Sequence, residues 1–195
     1  MAEIESGPLR LGGVILTGGT AARMDGVAKA GLEVGGVSLL ERALAALAAM
    51  VGIVVVGPEV PTSRPVAWTR EKPARGGPAA ALLAGLNALP RDLDAIVVLA
   101  VDMPKVTAAT VARLVWTIEG DPFLDGAVLV DDEERMQSLC AAYRTDSMLR
   151  RQRELGDPDG LSMRVLLDGL HLGVVPAVGL EAADVDTWSD LGALG

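Results

Sequence analysis

Short apolar runs without a charge alternate with Ala/Leu-rich segments along this chain, and no other feature restricts its fold as much. Gly12–Thr17, Ile53–Gly57 and Ala95–Val101 read as buried strands, because their apolar character is continuous rather than alternating. Helices are expected between and after them, over Ser38–Met50, Pro78–Leu89 and Ala108–Trp116, with Ser38 and Glu41 forming a capping box. The second half continues with strands over Ala127–Val130, Ser138–Tyr143 and Leu172–Pro176. Its helices are expected over Thr145–Glu154, Ser162–Asp168 and Trp188–Leu194. Strands separated by helices pack into a parallel sheet with both faces covered. The expected fold class is therefore α/β, a three-layer Rossmann-like open and mostly parallel sheet. A chain of 195 residues, 50% of them hydrophobic, can bury one sizeable core. A single domain over residues 10–195 is expected after a short tail, residues 1–9.

The loop after the first strand, LTGGTAARMDGVAK from Leu16 to Lys29, reads as a triphosphate cradle. Leu16 and Thr17 lead into Gly18 and Gly19, which let the backbone turn sharply and bring exposed N–H groups close to a ligand. Arg23 and Lys29 add a guanidinium fork and an ammonium point charge to the same loop. Glycine-rich turns with surface cations also occur in α/β proteins for structural reasons alone, so the glycines by themselves do not decide. No GK[ST] follows, which excludes a Walker loop, and the third glycine of a dinucleotide fingerprint is missing.

In VVLAVDMPKVT, Asp102 stands where an apolar run ends, at the carboxyl edge where open parallel sheets bind ligands. A carboxylate there suits Mg2+, which takes one or two carboxylates and completes its shell with water and substrate phosphates. A turn or helix cap is the structural alternative, and the combination with Lys29 tips the reading toward the metal. In TREKPARGGPAAALLAGL, Gly76 and Gly77 permit close backbone approach and Pro78 suits the first turn of a helix, whose amino end favours an anion or a polar base edge. Arg75 in that loop reads as a ligand contact or a solvated arginine. In ADVDTWSDL, Asp186 or Thr187 suits the cap of the last helix.

Taken in order, these elements resemble the molybdenum cofactor guanylyltransferase family, within the wider nucleotidyltransferases, from Gly12 to Leu191. Leu16, Gly18, Gly19, Arg23, Met24 and Lys29 match its signature loop, while Asp25 replaces a glycine, with Gly26 one place later, and Ala28 replaces an aspartate. Asp102 and Pro104 match its Asp-x-Pro element. Asp184, Asp186 and Thr187 match its acidic C-terminal segment, with Trp188 in place of proline. Gln137, Leu139 and Tyr143 follow its substrate-side strand, with Ser138 in place of proline.

The resemblance implies a fold of the nucleotide-diphospho-sugar transferase type, GTP as donor, molybdopterin as acceptor, pyrophosphate as product and Mg2+ as cofactor. It makes Lys29, Arg23 and Asp102 catalytic and puts the metal on Asp102 and Asp186. Nucleotide binding falls to Leu16, Thr17, Gly18, Gly19, Lys29, Glu71, Gly77 and Asp102. Glu71 is the base contact in that scheme, although Lys72 interrupts the usual Asp-Pro pairing, and Arg164 faces the acceptor's phosphate. Relatives by motif use CTP, a phosphorylated small acid or sugar phosphates. A degenerate member would bind nucleotide without turnover. The resemblance also leaves room for protein partners in cofactor delivery.

A net charge of −9 and a pI near 4.6 argue against nucleic-acid and anionic-membrane partners, so a phosphate ligand must be held by local cations. Cys140 is the only cysteine and reads as a small buried thiol, and His171 is the only histidine and reads as structural. One of each makes a zinc site improbable. Met24, Met103 and Met136 read as packing residues. The N-terminus MAEIESGPLR has no apolar signal core, no stretch is long and apolar enough for a membrane span, and a cytoplasmic protein is expected.

Overall fold

The computed structural model describes residues 7–18, 29–72 and 76–194. β1 (Leu11–Leu16) leads to a small hairpin of β2 (Glu33–Val34) and β3 (Val37–Ser38), then to α1 (Leu39–Ala46). β4 (Gly52–Val56), β5 (Ala67–Thr69), α2 (Gly77–Ala88), β6 (Ala95–Ala100) and α3 (Ala108–Gly120) follow. The second half runs β7 (Gly126–Val130), β8 (Met136–Arg144), α4 (Thr145–Leu155), α5 (Met163–Leu167), β9 (Leu172–Pro176) and α6 (Trp188–Ala193).

Seven of the strands form one open sheet in the order β5-β4-β1-β6-β8-β7-β9. β8 runs antiparallel to both of its neighbours, and the other pairings are parallel. The expected mostly parallel, doubly covered sheet is what the chain builds. Successive side chains of a strand point to opposite faces. Ile15, Val55, Val97 and Leu99 accordingly join the core under α1 and α3. Val14, Leu16, Val54, Val56, Ile96 and Val98 join the core under α2, α4 and α5. Continuous apolar runs are what burial on both faces requires.

Several elements differ from expectation for identifiable reasons. The β2–β3 hairpin turns on Gly35 and Gly36, both at positive φ (59° and 77°), the backbone that a two-residue hairpin loop demands. β5 is three residues long, lies at the sheet edge and is only partly buried, so it carries no apolar run to betray it. The Ser38 hydroxyl accepts the Glu41 N–H as a cap should, but the Glu41 carboxylate accepts from the Ser63 N–H and hydroxyl across the surface. Helix α1 ends at Ala46 instead of Met50, and α3 continues past Trp116 to Gly120.

Cys140 is fully buried, and burial pushes its thiol up to about 12, which removes it from thiolate chemistry at neutral pH. His171 serves through its backbone, donating to Asp125 Oδ2 and accepting from the Asp125 N–H.

Asp125 also joins the start of β7 to α4. Its Oδ1 accepts from the Ser147 hydroxyl at 2.5 Å and from Arg150 at 2.9 Å. Burial alone would raise its pKa, but the bonds from Ser147, His171 and Arg150 outweigh burial and hold it below the usual carboxylate range. A depressed carboxylate contributes stability that is complete above its unfolded value, about 3.9, and is lost as pH falls through the lower folded value. Urea midpoints of the wild type and Asp125→Asn should therefore differ at neutral pH and converge as the solution is acidified below about pH 4. A constant gap down to pH 2 would contradict this.

Candidate nucleotide site

β1 and β6 are in register and end together, with Leu16 opposite Ala100, and the chain leaves both strands at the same sheet edge. The Val101 N–H still donates to the Leu16 carbonyl, so the residue before Asp102 is tied to the last residue of β1. A cleft of about 720 Å³ opens along this edge. Leu16, Gly18, Lys29, Glu71, Gly77 and Asp102, six of the residues singled out in the sequence, line it together. They come from three separate stretches of chain, so the topology gathers them.

Thr17 stands apart from the others. Its hydroxyl and its N–H both reach the Val56 carbonyl at 3.1 Å, so its buried side chain locks β1 to β4 beneath the cleft. Gly19, Arg23, Met24, Asp25, Gly26, Ala28 and Arg75 lie outside the described residues.

The chemistry concentrates at Lys29. Its Nζ donates to Asp102 Oδ2 at 2.8 Å and to Asp186 Oδ1 at 2.7 Å. Burial alone would lower the ammonium's pKa, but the bonds to Asp102 and Asp186 and their charges outweigh it, so the pKa is raised and Lys29 is charged at neutral pH. The segment bearing Asp186 is held by main-chain geometry: the Val185 N–H donates to the carbonyl of Asp102 itself at 2.9 Å. Thr187 caps α6, as one of the two expected caps, in a box with Asp190, whose Oδ2 also accepts the Asp186 N–H at 3.1 Å. Farther back, Glu181 anchors the same segment to α3 by accepting from Thr110 and Arg113.

Two carboxylate oxygens directed at one point are hard donors of the kind Mg2+ accepts, which takes one or two carboxylates when substrate phosphates complete the shell. The residues present fit the ion. Among the described residues no group of three or more His, Cys, Asp or Glu is arranged to hold a metal by itself. Asp184 lines the cleft beside the pair; partial burial, then the charges of Asp186 and Asp102, raise its pKa above the ordinary range.

The amino end of α2 also lines the cleft. Gly77 sits at φ 90°, a backbone that L side chains avoid, and Pro78 opens the helix with no N–H of its own to satisfy. Gly77, Pro78 and Ala81 face the cleft, so the positive end of a 12-residue helix borders it.

The third wall comes from β8. Met136, Gln137, Ser138 and Leu139 line the cleft one after another, which a regular strand cannot do. The register with β7 slips here: Val128 pairs with Ala141 and Leu129 with Gln137, an irregularity of the bulge type that re-aims side chains. Tyr143 belongs to the core, fully buried, its hydroxyl donating to the Ser138 carbonyl. Met136 is 58% exposed at the cleft instead of packed, whereas Met103 is buried beneath it. Arg164 is exposed on α5 and does not line the cleft. Asp184 and Ser138, which carry no role in the sequence reading, are the additions that the structure makes.

A family model for the MobA-like NTP transferase domain matches residues 13–171. The chain belongs to this family. MobA-like NTP transferases are nucleotidyltransferases, and this chain is one by membership. Among solved structures it resembles the molybdopterin-guanine dinucleotide biosynthesis protein A of Archaeoglobus fulgidus, at 20% identity and a TM-score of 0.70 over 94% of this chain and 96% of that one. It also resembles the 2-C-methyl-D-erythritol 4-phosphate cytidylyltransferase of Thermus thermophilus, at 20% identity and TM-score 0.68, covering 93% and 95%. Rv0371c of Mycobacterium tuberculosis is similar too, at 20% identity and TM-score 0.74, covering 96% and 98%. No match was found among curated proteins. At such identities the likeness establishes the nucleotide-diphospho-sugar transferase fold of this MobA-like chain. Among the described residues, no helix is long and apolar enough to cross a membrane.

Proposed function

We propose that this MobA-like protein transfers a nucleoside monophosphate from GTP to the phosphate of a molybdopterin-type acceptor, releasing pyrophosphate, with Mg2+ as cofactor. The observation that carries the reading is the Lys29 ammonium between Asp102 and Asp186, in a cleft that a helix amino end also lines. Phosphoryl-type transfer asks a protein for positioning and charge neutralisation, so the lack of a Ser-His or Cys-His pair among the described residues of the cleft is no obstacle. Lys29 would neutralise charge on the transferring and leaving phosphates. Gly18, together with the Gly19 and Arg23 of its loop, would receive the departing pyrophosphate. The amino end of α2 and Glu71 would take the base, and Gln137, Ser138 and Leu139 would face the acceptor. Asp102 and Asp186 would hold Mg2+, which when bound draws charge from the α-phosphate.

GTP and molybdopterin are favoured by the order of motifs shared with the guanylyltransferases and by the likeness to the Archaeoglobus protein. The likeness to the Thermus cytidylyltransferase makes CTP the comparison that matters. Pyrophosphate release with Mg2+ should be measured for GTP, CTP, ATP and UTP against molybdopterin and a panel of phosphorylated acids and sugars. The expected result is turnover confined to GTP with molybdopterin. Turnover confined to CTP or to another acceptor would move the substrate, and binding without turnover for every pair would remove the enzymatic reading.

A further inference from the structure

Asp102 Oδ2 and Asp186 Oδ1 are directed at one point, and that point is filled by the Lys29 ammonium at 2.8 and 2.7 Å. The Lys29 side chain is only 9% exposed, whereas those of Asp102 and Asp186 are 25% and 51% exposed, so the ammonium is enclosed while the carboxylates stay open to solvent. Under the function proposed above, the same two oxygens are the ones a divalent cation needs. An ammonium and a divalent cation compete for the space between those oxygens, because at that spacing like charges repel in a partly desolvated site. We infer that Lys29 is a built-in counter-cation that keeps the Asp102–Asp186 pair closed to metal until a triphosphate draws its ammonium away.

This inference rests on the proposed function, and the geometry supplies the exchange. Lys29 carries its charge on a flexible four-carbon stem and lines the same cleft as Gly18, so its ammonium can leave the carboxylates without leaving the cleft. Without nucleotide, a metal that displaces it strands the ammonium away from its anions. With nucleotide, phosphate oxygens accept the ammonium while the carboxylates are released. Metal and nucleotide then bind as a coupled pair, and by linkage each raises the affinity of the other by the same factor.

The test is Mn2+ binding followed by electron paramagnetic resonance, with no acceptor and no turnover. Wild-type protein should bind Mn2+ at this pair weakly on its own, and a non-hydrolysable GTP analogue should tighten that binding at least about tenfold. Lys29→Gln should bind Mn2+ without nucleotide at least about tenfold more tightly than wild type, and the analogue should tighten that binding by a clearly smaller factor than in the wild type. Mn2+ should raise the melting temperature of Lys29→Gln and leave that of the wild type nearly unchanged. Lys29→Arg keeps the cation and should behave as the wild type does. Equal Mn2+ affinity in wild type and Lys29→Gln would overturn the inference, as would no Mn2+ binding in either. Lys29→Met, which removes the charge and keeps an apolar stem, repeats the comparison if Lys29→Gln does not fold. Pyrophosphate release by the wild type in the same buffer reports separately on the proposed function, so a failed exchange and a failed enzyme give different results.

Discussion

Replacing Asp102 by asparagine is expected to lower pyrophosphate release roughly hundredfold or more at saturating substrate, while nucleotide affinity falls far less. Asn keeps the size of the side chain and an oxygen that can accept from Lys29, so the loss isolates the negative charge. In the present geometry that charge has two uses: it neutralises Lys29 at 2.8 Å in the free protein, and it belongs to the oxygen pair proposed for the metal. Both concern the transferring phosphate more than the base or ribose. An effect on kcat much larger than on KM is the sign of an interaction made in the transition state. Steady-state kinetics combined with calorimetric titration of GTP would separate the two quantities. Undiminished turnover would remove Asp102 from the catalytic set, and an equal fall in affinity would make its role one of ground-state binding. A melting curve of Asp102→Asn guards against a fold defect, because the backbone carbonyl of Asp102, which holds Val185, is untouched by the change.

The parts of this molecule that could be read from its sequence are those whose cause is local. A continuous apolar run is a buried strand wherever it occurs, and the inner strands β1, β4 and β6 follow their runs to within a residue. Helix caps and glycine turns were legible for the same reason, as with Thr187 and the Gly77–Pro78 start of α2. β5 was not, since three half-exposed residues after a proline-rich stretch owe their strand state to β4 alone. The face that β8 presents was hidden as well: its bulge against β7 turns Ser138 as well as Leu139 toward the cleft, and no period of two foretells that. Lys29 lies 73 residues from Asp102 and 157 from Asp186, so their meeting is a property of the sheet order and not of any spacing. The sequence resemblance could place the three residues in one site because it carries a whole topology with it; local chemistry could not. That the ammonium bridges both carboxylates emerges only from the coordinates.

Leu99→Ala is expected to cost about 2–5 kcal/mol of stability, the range for emptying a well-packed leucine site. Leu99 is 1% exposed near the end of β6, between Ile15 of β1 and Cys140 of β8, in the core under α1 and α3. Strands hydrogen-bonded on both sides hold the backbone in place, so the space left by the lost carbons cannot close by collapse. Against a total of about 5–15 kcal/mol the loss is severe, and the melting temperature should fall by about 10 °C. Leu99→Met, which conserves volume and adapts its shape, should cost less than about 1.5 kcal/mol. Leu99 also stands three residues before Asp102, which follows the end of β6. Below the lowered melting point, however, the ladder to β1 and the Val101–Leu16 bond still set the strand's end. The alanine variant should therefore keep most of its specific activity at 15 °C while unfolding early on heating. A melting temperature within two or three degrees of wild type would show that this core face relaxes around the cavity. A large loss of cold activity in a folded variant would show instead that packing under β6, and not the main-chain ladder, sets the position of Asp102.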